Sequence, residues 1–568
     1  MDYIEKSEIG LYSKDEKNYD SQWANPQKFR STLKRVDLTS REIPYGGIPL
    51  WSDGRLAYVD NSDSHSLIFG STGSKKTRLL AMPMLRILAK ASESMIVTDP
   101  KGELYERTAA LLKDLDYNLI VLNFRNPSTG STWNPLDIPY KLYQSKEKDK
   151  ASELLNDLVK NIMFYETTAN IDPFWDNSAS DFCYGLLMVL FECTQHERQV
   201  NLRNISSLKN SFINMKSNFY EHLNKHSLAY ISLSGTMDAP EKTQNSILSV
   251  FDQHLRLFCA QDSLSEMLSY SNFDLGSIGF KKSVVFLIMP DEKTTYHRLV
   301  SIFIKQCYES LISAAQSTDT RTLPIRTNFI LDEFSNLPPV TDFPAMITAA
   351  RSRNIRFCII SQSDHQLKAR YREESETIKS NCNNWVFLTS RELPLLRQIS
   401  ELCGYKDGTT PLISVSKLQR FDKERGEALI LSGRNYPYVT LLADIEVYDK
   451  NYYGKVPIPL REKRKILMFD FGKFLVNFST RSVSELFKDD SLEEIIEQPK
   501  NDVKIEFLDD LFDEPNQPKD DIKIESLDDL FDKQEQPLHT ESQSQIDIQA
   551  EIEAKFDELF GKPKNNSV

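Results

Sequence analysis

Short apolar runs and stretches of helical periodicity alternate along most of the chain. Eight runs have the length and continuity of buried strands: SLIF (66–69), SMIVTD (94–99), NLIVLNF (118–124), SVVFLIM (283–289), TNFILDE (327–333), IRFCIIS (355–361), NWVFLTS (384–390) and EALILS (427–432). They do not alternate apolar with polar residues as a one-sided sheet would, and helical stretches separate many of them. The pattern predicts an α/β fold with a mainly parallel sheet covered on both faces. Upstream, YGGIPLWSDGRLAYVD (45–60) reads as two short strands around the turn Ser52-Asp53-Gly54.

Between about residues 146 and 274 the period changes. KASELLNDLVKNIMFY and SDFCYGLLMVLFECT place apolar residues at helical spacing and contain no strand-like run, which predicts an all-α insertion. After about residue 463 strand runs cease and Asp, Glu, Gln and Pro accumulate. Five segments follow: a lead-in (1–44), a first α/β part (45–145), the all-α part (146–274), a second α/β part (275–462) and a flexible acidic tail (463–568). The tail carries a direct repeat, KIEFLDDLF (504–512) and KIESLDDLF (523–531), with EAKFDELF (553–560) as a looser third copy.

A length of 568 residues allows two or three folded units. The net charge of −13 argues against a polyanionic partner until it is located: residues 501–568 hold 19 acidic and 7 basic side chains, so the tail supplies −12 of it and the body is near neutral. Seven scattered cysteines without a C-x-x-C pair fit buried free thiols in a reducing compartment. No apolar run reaches the roughly 18 residues of a membrane helix, so a cytoplasmic protein is expected. In the tail copies Ile505, Leu508, Leu511 and Phe512, or Ile524, Leu527, Leu530 and Phe531, fall on one face of a short helix. Such segments order only on a partner. They read either as docking motifs for a basic, grooved partner or as a solubilising tail.

The stretch SLIFGSTGSKKTRLLAM (66–82) leads from a strand through a Gly/Ser/Thr loop into a helix. Gly70, Lys76 and Thr77 match three of the four fixed positions of G-x-x-x-x-G-K-[ST], and Ser71, Thr72, Gly73 and Ser74 fill the loop. Such a loop wraps a β-phosphate in backbone N–H groups, while its lysine reaches the β/γ oxygens and its hydroxyl ligates Mg²⁺. Lys75 stands where the pattern has glycine. If that position needs positive φ, the side chain costs roughly 1–2 kcal/mol, part of which its ammonium recovers if it lies near the phosphates. The alternative is a plain Gly/Ser turn. A second element favours the phosphate reading: Asp332 and Glu333 end an apolar strand, where one carboxylate can hold Mg²⁺ and the next can polarise water.

VTDPKGELYERT, VLNFRNPSTGSTWNPLD, FLIMPDEKTTYHRLV, ILDEFSNLP, AARSRNIRFCIISQS and IKSNCNNWVFLTS together resemble the type IV secretion coupling proteins, the VirD-type/TraG-like conjugation ATPases, over roughly residues 45 to 450. The resemblance implies a RecA-like P-loop domain with an inserted all-α domain. It further implies a ring hexamer, possible monomers in dilute solution, ATP and Mg²⁺ as cofactors, and export of a relaxase–ssDNA complex with sequence-nonspecific DNA contacts. Carried over by position, residues 70–77 bind the nucleotide, Thr77 and Asp332 hold Mg²⁺, Glu333 is the second carboxylate of the pair, Arg351 is an arginine finger and Gln362 a sensor. Arg353 is a rival for the finger, and a helix-surface arginine is the plainer account of Arg351. Many relatives have membrane helices; here the resemblance is to the type lacking them, recruited to the inner face of the membrane by the secretion channel or a separate small membrane protein. Two rival functions stay open: a degenerate P-loop serving as a substrate receptor, and a general hexameric DNA translocase unconnected with secretion. Asp99 and Lys101 in DPKGEL have helix capping as their simplest role. Asp172, Trp175 and Asp176 read as packing and helix initiation. The clusters RSRNIR and KARYRE (Lys368, Arg370, Arg372) offer partners to DNA phosphates or are merely solvated.

Overall fold

The computed structural model describes residues 21–164, 173–194, 196–214, 220, 223–448 and 454–477. A small antiparallel sheet comes first, formed by β1 (Lys34–Asp37), β2 (Ile48–Ser52) and β3 (Leu56–Asp60) in the order β1-β3-β2. The turn between β2 and β3 closes because the Asp53 carboxylate accepts the N–H groups of Arg55 and Leu56 at 2.9 and 2.7 Å, and Gly54 takes φ +88°.

The main sheet has nine strands: β4 (His65–Phe69), β5 (Ser94–Asp99), β6 (Asn118–Asn123), β7 (Ser283–Ile288), β8 (Thr327–Leu331), β9 (Ile355–Ser361), β10 (Cys382–Phe387), β11 (Glu427–Ser432) and β12 (Tyr438–Leu441). Their order is β12-β11-β10-β4-β9-β8-β5-β7-β6. The seven strands from β10 to β6 are parallel, and β11 and β12 extend the β10 edge antiparallel. Each of the eight apolar runs contributes a strand. They are continuous because both faces are covered: Ile68, Met95, Val97, Phe286 and Ile330 enter one apolar core, while Leu67, Ile96, Val285, Leu287 and Phe329 enter the other. Period-two alternation thus separates two cores rather than core from solvent.

Among the described residues from 124 to 282 no strand forms; helices Lys148–Met163, Pro173–Cys193, Leu202–Asn214, Leu228–Met237 and Glu241–Cys259 fill most of that stretch. Helix Pro173–Cys193 is apolar on nearly all sides because neighbouring helices surround it, and Phe182, Leu186, Leu187 and Leu190 have no exposure. Asp176, in its first turn, meets His254 Nε2 at 3.0 Å, and Trp175 is half-buried; Asp172 lies outside the described residues.

At the amino ends of the parallel strands, Glu93 forms a buried ion pair with Arg356, whose Nε also donates to Asn328 Oδ1 at 2.8 Å. Arg356 belongs to the basic cluster RSRNIR, so that cluster presents less charge to solvent than its sequence promises. Lys368 likewise sits 2.9 Å from Asp364. All seven cysteines are unpaired and six are buried. Among the described residues no helix is long and apolar enough to cross a membrane.

The tail boundary at 463 needs correction. Residues 459–477 return to the body: Gly130 N donates to Pro459 O at 2.9 Å, Arg461 N to Ser128 O at 3.1 Å, and Phe469 N to Asn204 Oδ1 at 3.0 Å. Phe469, Phe471 and Phe474 are buried, with Phe471 6.1 Å from Phe212 of the helical part. The aromatic spacing of ILMFDFGKF, masked in sequence by the charges before it, supplies the burial that holds this segment. The two repeats and the looser third copy lie outside the described residues. Replacing Phe471 by Ala should cost about 2–4 kcal/mol of stability in urea unfolding and make the chain near residues 459–477 a protease target; unchanged stability would mean that this packing is absent.

Candidate functional site

The carboxyl ends of β4, β9 and β8 meet in one place, because β9 lies between the other two. The loop after β4 is pinned at its start: Gly70 N donates to Ser361 O at 3.2 Å and Ser71 N to Thr389 O at 2.8 Å. A Cβ on Gly70 would stand 2.4 Å from Ser74 Oγ and 2.9 Å from Lys76 Cγ, so only glycine lets the loop fold over its own lysine. Gly73 takes φ +74°, and Lys423 Nζ donates to its carbonyl at 3.2 Å. The helix that follows starts with a π turn, Thr77–Ala81; Pro83 has no N–H with which to close an α-helical bond onto Leu79.

Lys75 has φ +65°, so the position does require the left-handed conformation that glycine adopts freely. Its ammonium does not turn toward the loop interior. It lies 2.5 Å from Glu424 and 3.8 Å from Asp444, and Arg78 also binds Asp444, at 2.7 Å. The expected recovery of strain through phosphates is therefore replaced by carboxylates of the segment around β11 and β12. With Glu424 68% exposed, that pair is worth under about 1 kcal/mol.

Lys76 is buried, and Nζ donates to Gly70 O at 2.7 Å. Burial lowers its pKa, opposed by the charges of Asp332 and Glu333. Thr77 Oγ1 donates to Asp332 Oδ2 at 3.3 Å, joining residues 255 positions apart. Burial raises the Asp332 carboxyl to about 6, with Lys76 opposing the rise. Its other oxygen accepts the Glu333 N–H at 3.0 Å, and its carbonyl accepts from Thr98 Oγ1 at 2.8 Å.

Glu333 itself has φ +53°, a conformation unusual for glutamate, and both carboxylate oxygens are engaged: Gln362 Nε2 donates at 2.7 Å and Asn336 Nδ2 at 2.8 Å. Gln362 Oε1 in turn accepts from Thr72 Oγ1 at 3.0 Å. One glutamine, just past the end of β9, thus ties the phosphate-type loop to the acidic pair. Ser74 Oγ is buried without a hydrogen-bond partner, inside a loop whose lysine finds only carbonyls. An orphaned hydroxyl and a cation lacking an anion fit a loop built for a phosphate group.

Arg351 is elsewhere. It precedes β9, at the opposite end of that strand from Gln362, and its charge is felt by His65, the first residue of β4. Strand β9 from Ile355 to Ser361 spans about 20 Å. The Arg351 side chain is exposed and makes no hydrogen bond or ion pair among the described residues, whereas Arg353 donates to Ser352 Oγ at 2.6 Å. The structure therefore brings together residues 70–77, Asp332, Glu333 and Gln362, and leaves Arg351 outside.

Asn336, Thr98 and Asp99 complete the site and were not assigned to it from sequence. Only Asn336, three residues after Glu333 on a tight turn, has a spacing that signals its partner. Asp99, at the end of β5 beside β8, caps helix Glu103–Asp114 by accepting the Tyr105 N–H at 2.9 Å, while its Oδ1 is buried without a partner. The charge of Lys101 in turn reaches Lys76.

Burial pushes the Asp99 carboxyl up to about 7, with the negative charge of Asp332 adding to the rise. A carboxyl whose folded pKa exceeds its unfolded value stabilises fully below the unfolded pKa and loses that contribution as pH rises through the folded one. Asp99→Asn keeps an oxygen for the cap and removes the titration. In nucleotide-free protein its stability relative to wild type should improve by roughly 1–4 kcal/mol from about pH 4.5 to about pH 8, read by urea unfolding; a pH-independent difference would refute the buried charge.

The whole described body resembles solved coupling proteins. The plasmid coupling protein TrwB in complex with a non-hydrolysable ATP analogue superposes with a TM-score of 0.56 at 13% identity, over 78% of this chain and 97% of that one. TrwB in complex with ADP and Mg²⁺ gives 0.52 at 14% identity, over 76% and 97%. At such identities the likeness establishes the fold, a RecA-like P-loop fold. No curated protein matches the chain in sequence. The profile of the type IV secretory system conjugative DNA transfer family, however, matches residues 22–427, most of the chain, and the protein belongs to that family.

Proposed function

We propose that the protein is the coupling ATPase of a conjugative type IV secretion system and that residues 70–77, Asp332, Glu333 and Gln362 form its nucleotide site. The approach of Thr77 to Asp332 carries the reading, because a hydroxyl and a carboxylate at 3.3 Å beside the loop that holds Lys76 suit the two protein ligands of a Mg²⁺ site. Mg²⁺-ATP, when bound, supplies the phosphoanhydride whose hydrolysis powers transfer. Lys76 is the group to exchange loop carbonyls for phosphate oxygens. Glu333, held by Asn336 and Gln362, orients water and accepts its proton, and Gln362 relays the state of the loop to the carboxylate through Thr72. Because Lys75 adopts the glycine conformation, the loop keeps its shape despite the substitution, which favours a working site over a degenerate receptor. Membership of a conjugative transfer family favours a secretion motor over a general translocase.

Arg351 fits a site on a neighbouring subunit, since it projects from the far end of its own sheet and is unengaged among the described residues. The reading is then a ring, a hexamer by resemblance to the family, assembled from subunits that are monomeric when dilute. Its cargo is a relaxase–ssDNA complex, gripped without sequence preference. It works on the cytoplasmic side, recruited to the inner face of the membrane by the secretion channel or a small membrane protein.

DNA-stimulated ATP turnover should fall at least about 100-fold in Lys76→Ala; equal rates would remove the motor assignment. Lys75→Gly, which relieves strain and loses the exposed pair with Glu424 and the longer one with Asp444, should keep its nucleotide affinity within about threefold of wild type, whereas a loss matching Lys76→Ala would make Lys75 a phosphate ligand. Arg351→Ala should also abolish turnover, and mixing it with Lys76→Ala should restore part of the rate, because some sites then pair an intact loop with an intact arginine. Failure to complement would place Arg351 outside any shared site.

A further inference from the structure

Residues 459–469 form a strap between the nucleotide-binding part and the helical part. Arg461 anchors one end: its guanidinium donates to Pro127 O at 2.6 Å and Thr129 O at 3.1 Å, and pairs with Glu266 at 2.5 Å. Asn204 anchors the other, donating to Leu467 O at 2.9 Å and accepting from Phe469 N at 3.0 Å. Between the anchors come Glu462, Lys463, Arg464 and Lys465, all exposed; Glu462 is absent from the cavity wall that the three cations border. They border a cavity of about 440 Å³ whose opposite wall includes Arg203 and Asp262. The lining holds five basic side chains and two acidic ones. Both carboxylates are already taken, Asp262 by Arg203 at 2.8 Å and Glu266 by Arg461. Lys463, Arg464 and Lys465 have no carboxylate within ion-pair distance among the described residues, and Arg464 stacks over the ring of Tyr270 at 4.8 Å.

Three cations without an ion-pair partner among the described residues, held on a frame tied at both ends, concentrate positive charge where an anion can answer it. We propose that this strap and its cavity bind the phosphodiester backbone of single-stranded nucleic acid, with Lys463 and Lys465 each pairing with a phosphate and Arg464, fixed on Tyr270, between them. The cavity is concave and set between two parts of the protein, which suits a strand laid along it better than a flat lipid surface. The choice of nucleic acid rests on the conjugative transfer reading. The interaction is one of charge alone, so binding is sequence-tolerant and strongly salt-dependent.

The test is fluorescence anisotropy of a labelled dT30 oligonucleotide with the full chain and no nucleotide, across a salt series. Lys463→Ala/Lys465→Ala should weaken binding at least about tenfold at low salt and reduce the slope of log K against log salt by about 1.4, roughly 0.7 for each phosphate left without its lysine. Lys463→Gln/Lys465→Gln should do the same while preserving side-chain bulk, and Lys406→Ala/Lys417→Ala, which removes equal charge elsewhere, should bind like wild type. Affinity and slope equal to those of that control would overturn the proposal, as would wild type that binds no oligonucleotide. If the strap variants instead lose binding only to vesicles containing phosphatidylglycerol, the surface is a lipid site and the proposal fails. Lys76→Ala should keep oligonucleotide binding while losing turnover, so a failure here leaves the nucleotide-site reading to be judged on its own assay.

Discussion

Everything in the site depends on the burial of one carboxylate. Asp332 ends a strand in the middle of the sheet, where its charge is expensive, and the loop after β4 supplies the groups that make it tolerable: the Thr77 hydroxyl directly and the Lys76 ammonium through space. The sheet order makes this possible. With β9 between β4 and β8, the loop and the carboxylate are one strand apart, and the residue after the intervening strand, Gln362, falls between them. A side chain there can touch both, and it does, through Thr72 on one side and Glu333 on the other. The geometry of three parallel strands thus joins Thr72, Gln362 and Glu333 in one hydrogen-bonded chain without further elements.

Strain accumulates around the same centre. Lys75 and Glu333 both carry side chains in the left-handed region, on opposite walls of the site. Each is held from outside: Lys75 by Glu424 and Asp444, Glu333 by Gln362 and Asn336. The two cases differ in burial. The Lys75 tether is exposed and weak, so it offsets little of the backbone cost; the remainder must come from the hydrogen bonds that pin the loop at Gly70 and Ser71. Glu333 is clamped by neutral donors on both oxygens, which fixes its direction.

Much of this was legible in the sequence. Strand runs such as SMIVTD read correctly because burial on both faces makes them continuous, and the loop and acidic pair, which the fold brings to within 3.3 Å of each other, stand out because each is a local pattern. What stayed hidden depends on pairs distant in the chain. Nothing around Lys75 points to Glu424, nor anything around Arg461 to Glu266, since an ion pair leaves no periodic trace. Charge also concealed structure: the run REKRK looks like the start of a solvated tail, yet the aromatics just beyond it are buried and draw the basic residues onto the body. In RSRNIR the error runs the other way, since Arg356 looks free and is consumed by Glu93.

The positions of Gln362 and Arg351 at the two ends of one strand bear on how the site can be completed. Strand β9 is stiff, buried along its whole length and hydrogen-bonded on both sides, so no side-chain motion can carry Arg351 across about 20 Å to its own loop. The same stiffness makes β9 a rigid link between a residue that touches the nucleotide loop and one that faces outward.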